Sequence, residues 1–168
     1  EEEKKTEAEW NRLCRRQKVL TVARDTILET MSYMKEQILP GVLSEAEKFL
    51  KTATSGKYGK LSAGENFRLS VADDEGRSHP ITALSCGTAE LCYIALRFGM
   101  TTGLFGGQPM PFVFDESFAH LDDQHLAAAF LALKERTEEK KDQIFLATCR
   151  KRDASLLLKI VQAKEIRL

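Results

Sequence analysis

The sequence has no excess of either charge sign, because 25 lysines and arginines stand against 25 aspartates and glutamates over 168 residues. This balance argues against a nucleic-acid-binding protein that is strongly basic overall. The sequence also lacks an apolar run near the roughly 20 residues that a helix needs to span a bilayer. We therefore expect a cytoplasmic protein with no membrane partner.

Cysteine is scarce, and the four residues form no Cys-x-x-Cys pair. Their spacing argues against a disulfide framework and fits a reducing compartment.

A Gly-x-Ser-x-Gly elbow is absent, which argues against a serine hydrolase. His120 and His125 lack the spacing and the further ligands of a zinc site, so we expect both at the surface. The first residues include no initiator methionine, and we expect the chain to be cut from a longer polypeptide.

Charged residues make up 30% of the chain and are unevenly placed. Residues 1–50 carry 19 of the 50 charges, which leaves 31 for the other 118 residues. Hydrophobic residues make up 43%, which is typical of a folded domain. The sequence therefore predicts a charged helical arm over residues 1–54 and a compact lobe over residues 55–168.

The arm carries an imperfect heptad ladder, whose apolar positions are Trp10, Leu13, Leu20, Ile27, Met31, Met34 and Ile38. One of the two apolar heptad positions is interrupted, because Gln17 and Arg24 occupy it in two successive heptads. The pattern predicts a long amphipathic helix, either packed on the domain or forming the end of a coiled-coil arm. Pro40 and Gly41 are expected to interrupt it before a second helix over 42–53.

The lobe alternates strand and helix patterns. Strands are predicted over 58–61, 66–72, 79–83, 112–114, 143–148 and 161–168, and helices over 88–102, 123–139 and 153–160. The strands at 112–114 and 143–148 are apolar enough to be buried. This order favours an α/β fold with mostly parallel strands, preceded by a small antiparallel segment.

Two segments of the lobe could carry chemistry. Residues 84–90 open a helix with serine and glycine, where free backbone N–H groups suit a phosphate oxygen, although Ser85 could equally be a simple N-cap. Residues 111–116 form an apolar strand that ends in Asp115 and Glu116. These carboxylates could hold Mg²⁺ and polarise a water molecule, or they could be surface acids at a strand end.

Two further segments follow in order. Residues 119–123 open a helix that Asp122 or Asp123 could cap. Residues 143–150 form another apolar strand with polar residues at its tip. A metal-dependent nuclease or phosphotransfer site built on these acids is a weaker option, because the sequence has no loop to cradle a phosphate for it.

Together the four segments resemble the C-terminal half of an ABC-type ATPase head of the SMC, RecF, RecN and SbcC kind, which has a P-loop NTPase fold. Residues 84–88 look like the signature motif, 112–116 like the Walker B strand, 121–123 like the D-loop and 143–149 like the switch-loop strand. The signature-like helix is most similar to that of the bacterial YhaN-like coiled-coil ATPases. The resemblance implies ATP and Mg²⁺ as cofactors, with weak binding to this chain alone.

The resemblance also assigns roles to residues. The signature motif that would bind nucleotide in trans comprises Ser85, Cys86, Gly87 and Thr88, of which Ser85 and Gly87 would touch the γ-phosphate held by an opposing head. Asp115 would support Mg²⁺ through water, and Glu116 would be the general base. Asp122 would lie across the dimer interface, and Cys149 with Arg150 would occupy the switch-loop position. The implied partners are an N-terminal lobe of the same polypeptide, a second head and DNA. The implied role is DNA repair or maintenance.

The sequence departs from the family pattern in two places. The switch-loop strand ends in Thr148-Cys149-Arg150, where relatives usually carry histidine. A Walker A loop is absent. Residues 56–61 imitate it, with Gly59-Lys60 at the Gly-Lys positions, but Thr54 stands at the required first glycine and Leu61 replaces the Mg²⁺-binding hydroxyl. ATP hydrolysis is thus expected only for the full-length protein. The alternative is a degenerate fold that does not hydrolyse ATP and serves as an interaction module.

Overall fold

The computed structural model describes residues 2–64 and 67–166 of the chain. Contacts divide the chain into two compact units, Glu1–Pro40 and Gly41–Leu168. The arm-and-lobe boundary drawn from charge density after residue 54 stays a prediction.

The elements over residues 2–53 are helical. Helix α1 spans Glu2–Tyr33, none of its residues is buried, and a π-helical turn follows over Met34–Ile38. Helix α2 spans Leu39–Ala53, so the prediction that Pro40 and Gly41 interrupt the helix is wrong. The Leu39 N–H bonds to the Met34 carbonyl five residues back, and this wider turn shifts the hydrogen-bond register just before the proline that lacks a donor.

The helix predicted over 42–53 is confirmed within α2. Its buried residues follow helical spacing and form one stripe: Val42, Ala46, Phe49, Leu50 and Ala53. This stripe, rather than helix propensity alone, stabilises the element, because it removes apolar surface from water.

Three strands form an antiparallel sheet in the order β1 (Tyr58–Ala63), β2 (Leu69–Asp73) and β3 (Ser78–Pro80). The strand predicted from residue 66 begins at Leu69, because Phe67 adopts a left-handed φ of 56°; Asn66 lies outside the described residues. The strand predicted over 79–83 ends at Pro80 and gives way to a 3₁₀ turn over Ile81–Ala83, since proline has no donor to extend a ladder.

The rest of the second unit alternates helices with a parallel pair of strands. These elements are α3 (Cys86–Phe105), β4 (Pro111–Asp115), α4 (Asp123–Lys140), β5 (Gln143–Ala147) and α5 (Lys151–Ile160). Strands β4 and β5 pair in parallel, so the predicted α/β class is confirmed. The strand predicted over 161–168 is wrong for residues 161–166, which form no ladder with any described strand; Arg167 and Leu168 lie outside the described residues.

The parallel pair is buried on one face only. Phe112 and Phe114 are 2% exposed, whereas Val113 and its cross-strand neighbour Phe145 are 60% and 49% exposed. The prediction of two buried strands is therefore wrong for the outer face. Alternation of side chains along a strand sends every second residue to that face, and no described element covers these two.

An aromatic cluster fills the core between the helices and β4. The Phe98 ring of α3 lies 5.0 Å from Phe49 and 4.7 Å from Phe112, measured between centroids. Helices α2 and α3 approach closely at Gly99, where an added Cβ would lie 2.1 Å from the Val42 carbonyl oxygen. Only glycine fits this crossing without moving the backbone.

A buried ion pair joins the end of α4 to the start of the parallel sheet. Arg136 Nε lies 2.7 Å from Asp142 Oδ2, and Asp142 Oδ1 accepts a 2.8 Å hydrogen bond from the Met110 N–H. Burial lowers the pKa of Arg136, and its guanidinium lies 4.3 Å from the Phe98 ring centroid. The pair therefore positions the strand whose far end carries the candidate catalytic acids.

Candidate functional site

The parallel register brings the carboxyl ends of β4 and β5 to one edge. Asp115 pairs with Ala147, and the Glu116 N–H donates a 3.0 Å hydrogen bond to the Ala147 carbonyl. Polar residues that follow the two strands must therefore meet there. Asp115 is exposed at this edge, and its carbonyl accepts a hydrogen bond from the Ser117 hydroxyl.

Glu116 is held by the segment that follows β5. The Cys149 N–H donates to Oε1, the Thr148 hydroxyl donates to Oε2 at 3.3 Å, and Arg150 Nε lies 4.0 Å from Oε2. The backbone N–H of Cys149 is the main cause that lowers the Glu116 pKa. Glu116 also has a φ of 48°, which a non-glycine residue adopts only where its surroundings hold it.

The same contact disfavours the thiolate of Cys149. The Glu116 carboxylate accepts a hydrogen bond from this thiol and repels negative charge, so the Cys149 pKa is raised. An uncharged thiol is a weak nucleophile. Cys149 therefore donates its backbone N–H to Glu116, and the same carboxylate disfavours the thiolate form of its side chain.

Ser85 caps helix α3, and an N-cap was one of the two roles that the sequence allowed for it. Its hydroxyl accepts a 3.3 Å bond from the Thr88 N–H and lies 2.8 Å from the Thr88 hydroxyl. Ser85 and Cys86 are exposed, whereas Gly87 is buried. An added Cβ on Gly87 would lie 2.9 Å from the His120 carbonyl oxygen, so this glycine has a packing role inside the lobe.

Asp122 caps α4. Its carboxylate accepts a 2.9 Å bond from the His125 N–H, and the His125 ring nitrogen Nδ1 lies 2.7 Å from the second oxygen. The His125 N–H is the main cause that lowers the Asp122 pKa. The carboxylate remains exposed and anionic, in a position where a facing surface can reach it.

The connection between β4 and α4 joins the four predicted segments. Arg150 donates to the Ala119 carbonyl, and Arg152 donates to the Leu121 carbonyl at 3.1 Å. On its other side, the His120 ring contacts Glu90 of α3 at 2.7 Å. Sequence reasoning missed Arg152, Glu90 and His120, because contacts between residues about 30 positions apart leave no local pattern.

The Walker A imitation over residues 56–61 is not a phosphate loop. It follows the end of α2, and its Gly59 and Lys60 lie inside β1, so a helix precedes it and it runs into a strand. A phosphate loop has the opposite order, because the N–H groups that bind phosphate belong to the helix that follows it. Within residues 2–64 and 67–166, no helix is long and apolar enough to cross a membrane.

Comparison with known proteins gives one relative by sequence. No protein-family model matches the chain. The uncharacterized protein YhaN of Bacillus subtilis (strain 168) is 28% identical over 131 residues, which cover 77% of this chain and 14% of YhaN. The chain thus spans about a seventh of the length of that relative.

Solved structures give a stronger likeness. The SMC head domain of Thermotoga maritima matches with a TM-score of 0.55 and 20% identity, over 76% of this chain and 44% of that one. The Pyrococcus furiosus SMC head with an extended coiled coil, bound to the C-terminal domain of ScpA, matches with a TM-score of 0.53 and 18% identity, over 89% and 40%.

A third structure comes from work on ATP-driven dimerization and DNA-stimulated activation of SMC ATPases. It matches with a TM-score of 0.57 and 20% identity, over 74% of this chain and 76% of that one. These structural matches show a shared fold, which agrees with the order of segments in the sequence. The chain has the fold of an SMC head domain, over 74–89% of its length.

Proposed function

We propose that this chain is the part of an ATPase head that supplies the general base and the trans-acting signature segment. An N-terminal lobe of the same polypeptide would supply the Walker A loop, and a second head would close on the nucleotide. The observation that carries the proposal is the convergence of Glu116, residues 148–150 and the 119–123 connection at one edge of the parallel pair.

The residues at this edge suit the implied cofactors. Asp115 offers an exposed carboxylate, and Mg²⁺ prefers oxygen ligands of this kind, held directly or through water. Bound Mg²⁺ and ATP would supply the charge neutralisation and the phosphoanhydride bond of the reaction. Glu116, one residue further on, would accept the proton of the attacking water as an anionic carboxylate.

Segment 148–150 regulates that step in our proposal. The Glu116 carboxylate accepts bonds from Thr148 and Cys149 that lower its pKa, so release of one of them would make it a stronger base toward water. We infer that nucleotide binding moves this segment. Arg150 would then exchange Glu116 and the Ala119 carbonyl for a phosphate oxygen and so replace the missing histidine.

The trans-acting surface would consist of Ser85, Cys86, Gly87 and Thr88 together with Asp122. Either hydroxyl of the Ser85–Thr88 pair can donate to the other, so one hydroxyl hydrogen remains for an external phosphate oxygen. The buried Gly87 would contribute by letting the segment pack tightly on the 119–123 connection. Dimerization of heads driven by ATP, and a role in DNA repair or maintenance, follow by analogy with the SMC ATPases.

The outer face of the parallel pair would receive the N-terminal lobe. Parallel sheets are normally covered on both faces, and a two-stranded sheet is marginal by itself. Val113 and Phe145 leave an apolar pair exposed on this sheet. We expect Phe145→Ala to weaken association with that lobe, and Phe67→Ala, which truncates an exposed ring in the β1–β2 connection, to leave association unchanged in a pull-down titration.

Replacement of the base tests the proposal most sharply. In the full-length protein, Glu116→Gln should lower Mg²⁺-dependent ATP turnover by about 10²- to 10⁴-fold, because the amide cannot accept the proton. The ATP-bound dimer should persist longer, as measured by size-exclusion chromatography. Glu138→Gln, which changes an exposed glutamate on α4, is the matched control. Unchanged turnover in Glu116→Gln would overturn the assignment.

The competing function is an interaction module that does not hydrolyse ATP. The observation that favours it is the closed arrangement around Glu116, together with the absence of histidine from segment 148–150. The two functions differ in one readout, phosphate release by the full-length wild-type protein with Mg²⁺. Steady release supports the ATPase, whereas ATP binding without release supports the module.

A further inference from the structure

Three side chains with different ligand atoms meet beside the first turn of α3. Cys86 Sγ, Glu90 Oε1 and His120 Nδ1 all lie within 4.8 Å of one another. Glu90 Oε1 is 2.7 Å from His120 Nδ1 and 3.9 Å from Cys86 Sγ. Cys86 and Glu90 are one helical turn apart, and His120 arrives from the connection before α4.

The fold builds this approach through Gly87. An added Cβ there would lie 2.8 Å from Leu121 Cδ2 and 2.9 Å from the His120 carbonyl oxygen. Leu121 is only 6% exposed and anchors the connection in the core. Because a glycine permits this contact, the connection rests on the first turn of α3 and delivers His120 to Cys86 and Glu90.

One carboxylate oxygen of Glu90, Oε2, is buried without a hydrogen-bond partner among the described residues, and a bound cation would compensate for this. A buried carboxylate oxygen without a partner costs free energy, since it has lost its bonds to water. A cation bound to the same carboxylate would compensate that loss through charge.

The ligand set indicates which cation. Zinc binds cysteine sulfur at about 2.3 Å and histidine nitrogen or carboxylate oxygen at about 2.0–2.2 Å in tetrahedral geometry, so its ligand atoms lie roughly 3.3–3.6 Å apart. The His120 Nδ1–Glu90 Oε1 pair at 2.7 Å would have to separate by about 0.7 Å, and the Cys86 Sγ–Glu90 Oε1 pair at 3.9 Å to approach by about 0.3 Å. Cys86 and His120 are exposed, so side-chain rotation can supply these movements. Sulfur and imidazole favour zinc over Mg²⁺.

We propose that Cys86, Glu90 and His120 form a binding site for a divalent transition metal ion of the zinc class. Three protein ligands leave a fourth position for water or an external ligand. A bound ion would tie the first turn of α3 to the connection that leads to Asp122. The expectation from sequence that His120 is a surface residue without a zinc site considered only its neighbours in the chain.

A spectroscopic titration tests the site. We expect the 168-residue chain to take up one Co²⁺ per molecule, with the near-ultraviolet absorption of a cobalt–thiolate bond, and Zn²⁺ to displace it. Cys86→Ser, Glu90→Gln and His120→Asn should each weaken binding by at least about tenfold, since even loss of an outer-shell partner costs that much. Cys86→Ser should also remove the thiolate absorption.

Two matched variants make the result decisive. His125 Nδ1 also lies 2.7 Å from a carboxylate oxygen, that of Asp122, and Cys149 is also an exposed cysteine. His125→Asn and Cys149→Ser should bind Co²⁺ as the parent does. Absence of uptake, equal affinity in the three site variants, or loss of the thiolate absorption in Cys149→Ser would each overturn the proposal. Far-UV circular dichroism verifies folding, and the exposed Cys86 makes Cys86→Ser the least disruptive variant.

Discussion

The two sheets of the second unit differ in what their outer faces carry. In the antiparallel sheet, Leu61 and Val71 face the core, and Lys60 and Ser62 face outward. In the parallel pair, the centre of the outward face is apolar, with Val113 beside Phe145. An antiparallel sheet can leave one face in water, whereas parallel sheets are usually covered on both. The antiparallel sheet thus has the usual polar outer face, whereas the parallel pair exposes the apolar face on which our proposal places the N-terminal lobe.

The largest expected effect is a difference in the free energy of unfolding between substitutions on the two faces of the parallel pair. Phe114→Ala should lower the free energy of unfolding by about 3–5 kcal/mol, because it empties a buried aromatic site. Phe145→Ala on the outer face should change it by less than about 0.5 kcal/mol in this chain alone. Urea titration followed by circular dichroism measures both. Equal losses would mean that the outer face is already packed.

A smaller effect tests the core that both sheets share. Gly99→Ala should destabilise the chain by about 1–3 kcal/mol, because the new Cβ meets the Val42 carbonyl. Gly103→Ala, in the same helix, meets only a methyl group of Val42 at 3.0 Å and should cost less. Both sheets should unfold together in thermal melts of Gly99→Ala. Separate transitions would show that the two sheets do not share one core.

The smallest effect concerns the antiparallel sheet alone. Hydrogen bonds from His79 first, and then from Arg77, hold the Asp73 pKa well below its usual range. A depressed pKa in the folded state contributes stability above the unfolded value of about 3.9, and that stability is lost as the pH falls below it. We expect the protection of β2–β3 amides, measured relative to the exchange rate of an unstructured chain at the same pH, to fall from about pH 4 downward.

Asp73→Asn should remove that pH dependence, whereas Asp74→Asn, in the same turn, should keep it. Amide hydrogen exchange between pH 6 and pH 3 compares the three proteins. A wild-type sheet whose protection does not change over this range would contradict the role of the Asp73 contacts.

Much of the fold was predictable because it depends on local patterns. Alternation in β2, the helical stripe of α2 and the apolar strands ending in acids were all readable, and they gave the α/β class. The course of the helix through Pro40 was not, because the π-helical turn before it adjusts the hydrogen-bond register. The exposure of the outer face of the parallel pair was not predictable, because apolar residues on both faces of a strand are the usual pattern of a fully buried strand.

The candidate site was predictable residue by residue but not as an arrangement. The sequence placed Asp115 and Glu116 at the end of one strand and Thr148 and Cys149 at the end of another, and the parallel register of the structure brings the two ends together. The left-handed φ of Glu116 was not readable, since it arises from the contacts that hold its carboxylate. The meeting of Glu90 with His120 depends on packing at Gly87 and needs the three-dimensional structure.

The central claim is that this chain is one part of a composite ATPase site. Mg²⁺-dependent phosphate release, measured for the chain alone and for the chain joined to its N-terminal lobe, tests it most directly. The account predicts no turnover and little ATP binding alone, and turnover with the lobe. Turnover by the chain alone, or micromolar ATP affinity of the chain alone in calorimetry, would contradict it.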